Sequence, residues 1–399
     1  MPDDSQLHIA HFMFALEPSL AGVASAVPEL ASKLEKNGIK NTIFSFGNET
    51  RLTNQRNFLA NQIIESGSTL FFDSKGISKK YALGSIPNAL RMIRMKINAN
   101  LVIVHQVYSF ATFWGWIYAR KNNLPLILMP HGTFTLYHER DSRFRKIVAK
   151  ILLKKILKDV TLAIATSESE RNEIYNISKI QTVCLPYGID KRAEKRKDFV
   201  VTETLNILYA GRFAAKKNLE SIIRALPKVL EIYPKSILRL AGFRNKDEML
   251  TLRNLAEQLH IEGKILFFPW QTQNQLWKLY EESHIFVLPS ENENFGLVVG
   301  DALSFGVPCV ISDSVSFSNI FDSYNAGVIL RRKSPEAIAI GILKCVDEEY
   351  KDRVSGCLRL IEENFSWEHV SDLYVRELAK FVGCGFAKKA FAYPDGELI

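Results

Sequence analysis

Leu7-His8-Ile9-Ala10-His11-Phe12-Met13-Phe14, the loop Glu17-Pro18-Ser19-Leu20-Ala21-Gly22, the run from Val23 to Asn37, and Asn41-Thr42-Ile43-Phe44-Ser45-Phe46 together decide the fold class of this 399-residue chain. The first segment reads as a strand, partly alternating in polarity. In the third, Val23, Val27, Leu30 and Leu34 recur at helical spacing, and Gly38 supplies the stop. The last segment is a second strand. Strand, helix and strand in this order form a βαβ unit, the seed of a parallel sheet.

The pattern continues outward. Leu101-Val102-Ile103-Val104, Leu126-Ile127-Leu128-Met129 and Thr161-Leu162-Ala163-Ile164-Ala165 are short apolar runs of the kind that parallel sheets bury on both faces. Helical stretches lie between them, around 109–121 and 143–158. After Pro186-Tyr187-Gly188-Ile189-Asp190 the composition changes, and Lys191 to Glu203 is charged with almost no periodic apolar residues. A second series follows. Leu205–Ala210, Ser236–Ala241, Ile265–Phe268, Ile285–Leu288 and Pro308–Ile311 read as strands, the last closing the run. Leu219–Tyr233, Lys246–Leu259 and Leu297–Phe305 read as helices. Two consecutive doubly wound α/β domains are predicted, with a cleft facing the carboxyl ends of both sheets.

Composition agrees with two globular cores: 47% hydrophobic and 24% charged residues. No apolar run reaches the roughly 18 residues of a membrane-spanning helix. The polar, acidic start Met1-Pro2-Asp3-Asp4-Ser5 lacks the features of a signal peptide, so a cytoplasmic protein is expected. Cys184, Cys309, Cys345, Cys357 and Cys384 show no CxxC spacing, which reads as reduced, buried thiols rather than a disulfide framework or zinc site.

Chemistry concentrates in the second series. In Leu288-Pro289-Ser290-Glu291-Asn292-Glu293-Asn294-Phe295-Gly296-Leu297-Val298-Val299-Gly300-Asp301-Ala302-Leu303, an apolar strand runs into an acidic loop, then Phe-Gly, then a helix start. The amides of Gly296 and Leu297 lie where a helix N-terminus leaves donors free for an anion. Leu297 and Asp301, four apart, share a helix face. Glu293 and Asp301 can thus flank a bound phosphate and accept sugar hydroxyls. The plainer reading is an acidic loop and a solvated helix residue. Upstream, Tyr209-Ala210-Gly211-Arg212-Phe213-Ala214-Ala215-Lys216-Lys217-Asn218 places two cations, Arg212 and Lys217, five residues apart across a strand-to-helix turn. Such a pair can neutralise a departing diphosphate. Its plainer reading is a solvated basic loop.

These stretches resemble retaining glycosyltransferases of family 4, whose E-x7-E signature runs E-x-F-G, four residues, E-A. Here Glu293-Asn294-Phe295-Gly296 is followed at that spacing by Asp301-Ala302. The resemblance implies that Glu293 contacts donor-sugar hydroxyls and that position 301 binds the nucleotide ribose. Asp at this position is about 1.5 Å shorter than the usual Glu. The family's G-R-x4-K-G/N is matched by Gly211, Arg212 and Lys217, implying the diphosphate role for both cations. Met129-Pro130-His131-Gly132-Thr133 is similar to the family's H-G, with the histidine near the donor sugar. His105 occupies an analogous strand-end position, where a structural role is the alternative. In the first loop, where the family usually has two glycines, only Gly22 remains beside Ala21. Gly242 resembles a glycine near the nucleotide. Trp270, in Phe268-Pro269-Trp270, either stacks on the base or packs in the core.

The resemblance spans nearly the whole chain and implies the GT-B architecture, two Rossmann-like domains with an interdomain cleft. Residues 1–190 would form the acceptor domain and 191–365 the donor domain. Pro186–Asp190 reads as the hinge. Residues 366–399 would supply a helix, about 367–381, crossing back to the first domain, plus a tail. The implied function is transfer of a sugar, with retention, from a nucleoside-diphosphate sugar to a glycan or lipid-linked glycan acceptor of envelope or exopolysaccharide assembly. No metal and no cofactor are expected, with the two cations replacing a divalent ion. Two other readings stay open: a sugar-nucleotide epimerase or hydrolase of the same fold, and a non-catalytic binder in a polysaccharide assembly complex.

The net charge of +8 leaves nucleic acid, anionic membrane or anionic substrate as partners. Residues 142–158 carry Arg143, Arg145, Lys146, Lys150, Lys154, Lys155 and Lys158 without an acid. Lys146, Lys150, Lys154 and Lys158 recur every four residues, with Ile147, Val148, Ile151, Leu152 and Ile156 on other faces. That is a basic amphipathic helix, suited to an anionic membrane surface or to a solvated face over the core. No motif accompanies it that would indicate nucleic acid.

Overall fold

A computed structural model describes residues 6–13, 22–47, 68–73, 93–95, 97–107, 109–134, 152–193 and 203–381. The chain divides into two compact units, Met1–Tyr187 with Glu368–Ile399, and Gly188–Trp367.

The first unit holds a seven-stranded parallel sheet: β1 (His8–Met13), β2 (Lys40–Gly47), β3 (Ser68–Asp73), β4 (Leu101–His105), β5 (Leu126–Met129), β6 (Val160–Ala165) and β7 (Thr182–Cys184). Their spatial order is β3-β2-β1-β4-β5-β6-β7. The chain winds outward one way from β1 and then the other way from β4, so the switch point lies between β1 and β4. The central strands are fully buried, as their apolar runs require. On one face, Phe12 and Phe44 stack at 4.5 Å with Tyr118 tilted against both. Tyr118 belongs to the helix Phe110–Asn122, started by Ser109, whose hydroxyl accepts from the Thr112 amide, and stopped by Asn123 in the left-handed conformation. Gly115 lets that helix close on the sheet. A Cβ there would lie 2.5 Å from Val104 and 2.9 Å from Phe12.

The second unit repeats the scheme with six parallel strands: β8 (Asn206–Ala210), β9 (Ile237–Phe243), β10 (Ile265–Pro269), β11 (Ile285–Leu288), β12 (Cys309–Ser312) and β13 (Gly327–Leu330). The order is β10-β9-β8-β11-β12-β13, with the switch point between β8 and β11. The sequence reading closed this run at Ile311; β13 extends it. Its apolar core is only Val328-Ile329-Leu330, too short a run to separate from loop by pattern. β3 and β7, and the helices Glu168–Ser178, Gln273–Glu281, Ser318–Tyr324, Pro335–Cys345 and Tyr350–Leu360, likewise add to the expected elements. The helix expected over Leu219–Tyr233 ends at Leu230, three residues past Pro227.

Residues 152–159 are helical, while the rest of the basic 142–158 segment lies outside the described residues, as do Ala21, Cys384 and the tail from 385. No helix among the described residues is long and apolar enough to cross a membrane. The other four cysteines carry free thiols, three of them buried.

Candidate functional site

In the second unit, the loops after β8 and β11 leave the carboxyl ends of the two strands that flank the switch point, where such sheets receive ligands. The loop after β8 opens at Gly211, whose amide donates to Ala241 O at 3.0 Å. Gly211 has φ +146° and Gly242 φ +124°, and a Cβ on Gly242 would lie 2.1 Å from the Gly211 carbonyl oxygen. The two backbones approach so closely that only glycine fits position 242. Tyr209, fully buried, donates its hydroxyl to Arg212 O at 2.8 Å and fixes the next step of the loop. A single 3₁₀ turn, Ala215–Lys217, follows. It ends at Asn218 (φ +57°), whose side-chain amide donates to Lys333 O at 2.8 Å.

The loop after β11 is tied to the first by a backbone bond, Glu291 N to Lys216 O, 2.8 Å. Glu293 N donates to Ser314 O at 3.2 Å, and the Ser316 hydroxyl donates to Asn294 O. Gly296, at φ +81°, turns the chain into the helix Leu297–Ser304. The Leu297 and Val298 amides have no hydrogen-bond partner among the described residues, as expected of a helix N-terminus.

This scaffold brings two of the expected residues into contact. The Lys217 ammonium forms an ion pair with Glu293 Oε2, at side-chain exposures of 9% and 20%. Burial lowers the Lys216 amine from its ordinary value, partly offset by Glu293. Arg212 is exposed and has no ion-pair partner among the described residues. Asp301 lies half-buried in the helix, its backbone carbonyl accepting from the Ser304 hydroxyl at 2.7 Å. The Phe295 ring is 5% exposed and packs against Phe317 and Phe365 at 5.2 and 5.7 Å, so it anchors the loop and leaves only its backbone for a ligand. Trp270 is half-buried past the end of β10, with the Arg244 guanidinium 5.0 Å over its ring.

In the first unit, His131 follows β5 in the left-handed conformation (φ +57°), and Gly132 continues it (φ +74°). Glu170, 2% exposed, braces this turn: one oxygen accepts from Gly132 N at 2.5 Å, the other from Thr166 N at 2.8 Å and its hydroxyl at 3.1 Å. The His131 ring is buried. Nε2 meets His105 Nδ1 at 2.8 Å, and Nδ1 meets the Tyr187 hydroxyl. Burial pushes its pKa down to about 3. Both ring nitrogens are therefore engaged within the protein. Gly22 precedes the helix Val23–Lys36, its carbonyl accepting from the Ala26 amide at 2.9 Å.

Sequence reasoning missed His11, Asn41, Glu170 and the Tyr187 side chain. A signal existed for His11: histidines sit near the carboxyl ends of β1, β4 and just past β5, three strands adjacent in space. Among the described residues no group of three His, Cys, Asp or Glu could hold a metal ion.

The profile described as Glycosyl transferases group 1 matches residues 190–359, and that of Glycosyltransferase Family 4 matches residues 20–192. The chain is 28% identical over 227 residues to an uncharacterized glycosyltransferase of Methanocaldococcus jannaschii, covering 55% of this chain and 57% of that one. It is 21% identical over 383 residues to the GDP-mannose:cellobiosyl-diphosphopolyprenol alpha-mannosyltransferase of Xanthomonas campestris, covering 94% and 98% of the two. Among solved structures, Anabaena HepE in complex with UDP and glucose superposes with a TM-score of 0.74 at 16% identity, over 94% of this chain and 100% of that one. With two consecutive profiles matched end to end across both doubly wound units, this chain belongs to the group 1, family 4 glycosyltransferases of GT-B fold and uses a nucleotide sugar.

Proposed function

We propose that the chain transfers a hexosyl unit, with retention of anomeric configuration, from a nucleoside-diphosphate sugar to a hydroxyl of a lipid-linked glycan. The observation that carries this reading is the Lys217–Glu293 ion pair, its lysine buried and its glutamate half-buried, held between the loops that leave β8 and β11. This pair supports the reading because the cation would meet the diphosphate and the carboxylate would accept from sugar hydroxyls. Arg212 adds a second, exposed cation, and the helix N-terminus at Gly296–Leu297 adds free amides for the leaving group. Gly211 and Gly242 give the nucleotide close access to backbone, Trp270 offers a ring face to the base, and Asp301 is the ribose acceptor. The His131 turn and Gly22, in the first unit, keep the roles that the family resemblance implies.

Support for the acceptor class comes from the Xanthomonas relative, whose name specifies a diphosphopolyprenol-linked acceptor, and from the basic 142–158 segment, suited to the anionic surface where such acceptors reside. Arg212 and Lys217 stand in for a divalent cation in this scheme, so full activity in excess chelator is expected.

A thermal-shift screen against UDP-, GDP- and ADP-sugars, repeated with Arg212→Ala, tests the donor site. Stabilisation by one nucleotide class that the variant loses supports it and names the base, since a ligand bound only by the native state raises stability by mass action. Absence of any shift would count against it. Proton NMR of the product's anomeric centre then tests retention.

A further inference from the structure

The row that engages His131 runs on through two more strands. His105 Nε2 meets His11 Nδ1 at 3.0 Å, and His11 Nε2 meets Asn41 Oδ1 at 2.9 Å. Register explains the alignment. Asn41 pairs with Ile9, His11 pairs with Ile103, and His105 pairs with Met129. Each step from β2 through β1 and β4 to the residue past β5 therefore advances two positions, which keeps every side chain on one face of the sheet. The rings lie nearly parallel, with centroids 5.2 Å apart for His11 and His105 and 5.1 Å for His105 and His131. Tyr187 closes the row at 5° to the His131 ring. All five side chains are buried.

The direction of every hydrogen bond in this row follows from its far end. The Asn41 Nδ2 group donates to two carbonyls, Ala31 O at 3.1 Å and Ile39 O at 2.9 Å, and a carbonyl can only accept. The oxygen is thereby turned to His11, so His11 Nε2 carries the proton. A neutral imidazole has one donor and one acceptor. His11 Nδ1 thus accepts, and His105 Nε2 donates to it. His105 Nδ1 then accepts from His131 Nε2–H, and His131 Nδ1 accepts from the Tyr187 hydroxyl. Among the described residues no carboxylate hydrogen-bonds any of the three rings, and burial holds all three below the usual histidine range. Burial also keeps the Tyr187 hydroxyl protonated. The row ends on an amide that can neither take nor release a proton, so it cannot conduct one. Its effect is on orientation: each ring's tautomer is dictated by its neighbour.

We propose that His11 and His105 are positioning residues which, anchored on Asn41, hold His131 as the Nε2–H tautomer and so lock the left-handed His131–Gly132 turn at the carboxyl edge of the first sheet. The consequence for catalysis rests on the reading of that turn as part of the transferase site; the tautomer assignment does not.

The test uses the full chain labelled with 15N-histidine. Long-range proton–nitrogen correlation at pH 7 should show His11, His105 and His131 neutral, each protonated at Nε2. Finding His131 charged or protonated at Nδ1 in the wild type overturns the proposal without any variant. Asn41→Leu removes the acceptor and should give mixed tautomers at His131, three strands away; an unchanged His131 in that folded variant also overturns the proposal. Independent local hydrogen bonds would not transmit the change. With the donor identified by the screen, His105→Leu should lower kcat about tenfold with donor KM within about twofold. His105→Gln, which keeps a donor and an acceptor at the end of the side chain, should recover most of that loss. Full activity of His105→Leu would remove the positioning role. A wild type that shows the expected tautomers yet transfers no sugar would instead refute the transferase reading and leave the row intact.

Discussion

Lys217 and Glu293, 76 residues apart in sequence, neutralise each other where the proposed donor site would bind a diphosphate. A diphosphate has to draw the ammonium away from the carboxylate, and the carboxylate is then free to accept from a sugar hydroxyl. Glu293→Gln removes the competitor. Its affinity for the free nucleoside diphosphate should rise about tenfold, equivalent to about 1.4 kcal/mol, while sugar transfer falls at least a hundredfold. Isothermal titration with the diphosphate alone, beside a transfer assay, separates the two effects. Weaker diphosphate binding in this variant would refute the competition.

Arg212 and Lys217 should part company in stability. Arg212 is exposed and unpaired among the described residues, so Arg212→Ala should leave the Tm unchanged while weakening donor binding about 10- to 100-fold, a charge-assisted contact or more. Lys217→Ala strands the Glu293 carboxylate and should lower stability by about 1–3 kcal/mol as well. Paired melting and binding curves check this contrast. Equal losses of Tm in both variants would contradict it.

Gly242→Ala should be severe. The new methyl would lie 2.1 Å from a backbone oxygen, which cannot rotate away, at a φ of +124° that side chains rarely adopt. A loss of about 3 kcal/mol or more is expected, since clash and backbone strain add, with the Arg212 loop displaced. Calorimetry should show it. A variant with wild-type Tm would mean that the two loops lie further apart than described.

Acid should destabilise the first unit through its buried histidines. Burial lowers His11 to about 4 and His131 to about 3, and lowers His105 well below the usual value. In the unfolded chain these imidazoles take up protons below about pH 6.5. The unfolded state therefore binds more protons than the folded one from about pH 6.5 down to about 4, and stability falls as pH falls. Each imidazole contributes a slope of about 1.4 kcal/mol per pH unit within that window. Melting curves at pH 7, 6 and 5 test the sign. A Tm that is flat or rises toward pH 5 would contradict the neutral row.

Glu170→Gln replaces one carboxylate oxygen by an NH₂ that must face either the Gly132 amide or the Thr166 donors. Two donors then oppose each other in a buried place. A cost of about 1–3 kcal/mol is expected, and denaturant titration measures it.

The candidate site residues of the second unit were more legible in the sequence than those of the first, for a physical reason. In the second unit the chemistry sits on short contiguous segments, Gly211–Lys217 and Glu293–Asp301, each running from a strand end toward a helix start, so spacing along the chain is enough to read it. The first unit's histidine row is assembled across strands. His11, His105 and His131 become neighbours only once the β2-β1-β4-β5 order and its two-residue stagger are known. The strong parallel strands were legible from their apolar runs, whereas β7, with three residues, and β13, whose apolar core is only Val328-Ile329-Leu330, were not. Phe295 shows a further limit: its place in the signature motif says nothing about where its ring points, and the ring faces the aromatic cluster of Phe317 and Phe365.

Connectivity has its own consequence. The residues from Glu368 onward group with the first unit, and the buried Tyr374 hydroxyl donates to Leu185 O at 3.1 Å. Gly188–Trp367 is thus, in the topological sense, a guest domain spliced into a host whose two ends lie on either side of it. A host ending at Tyr187 lacks its own last helix and exposes the surface that helix covers. To obtain the host alone, residue 187 would have to be rejoined to residue 368 by a short linker, whereas the guest can be excised with two cuts. Exchanging that unit for another of the same fold is correspondingly a cassette exchange at two junctions rather than a fusion at one.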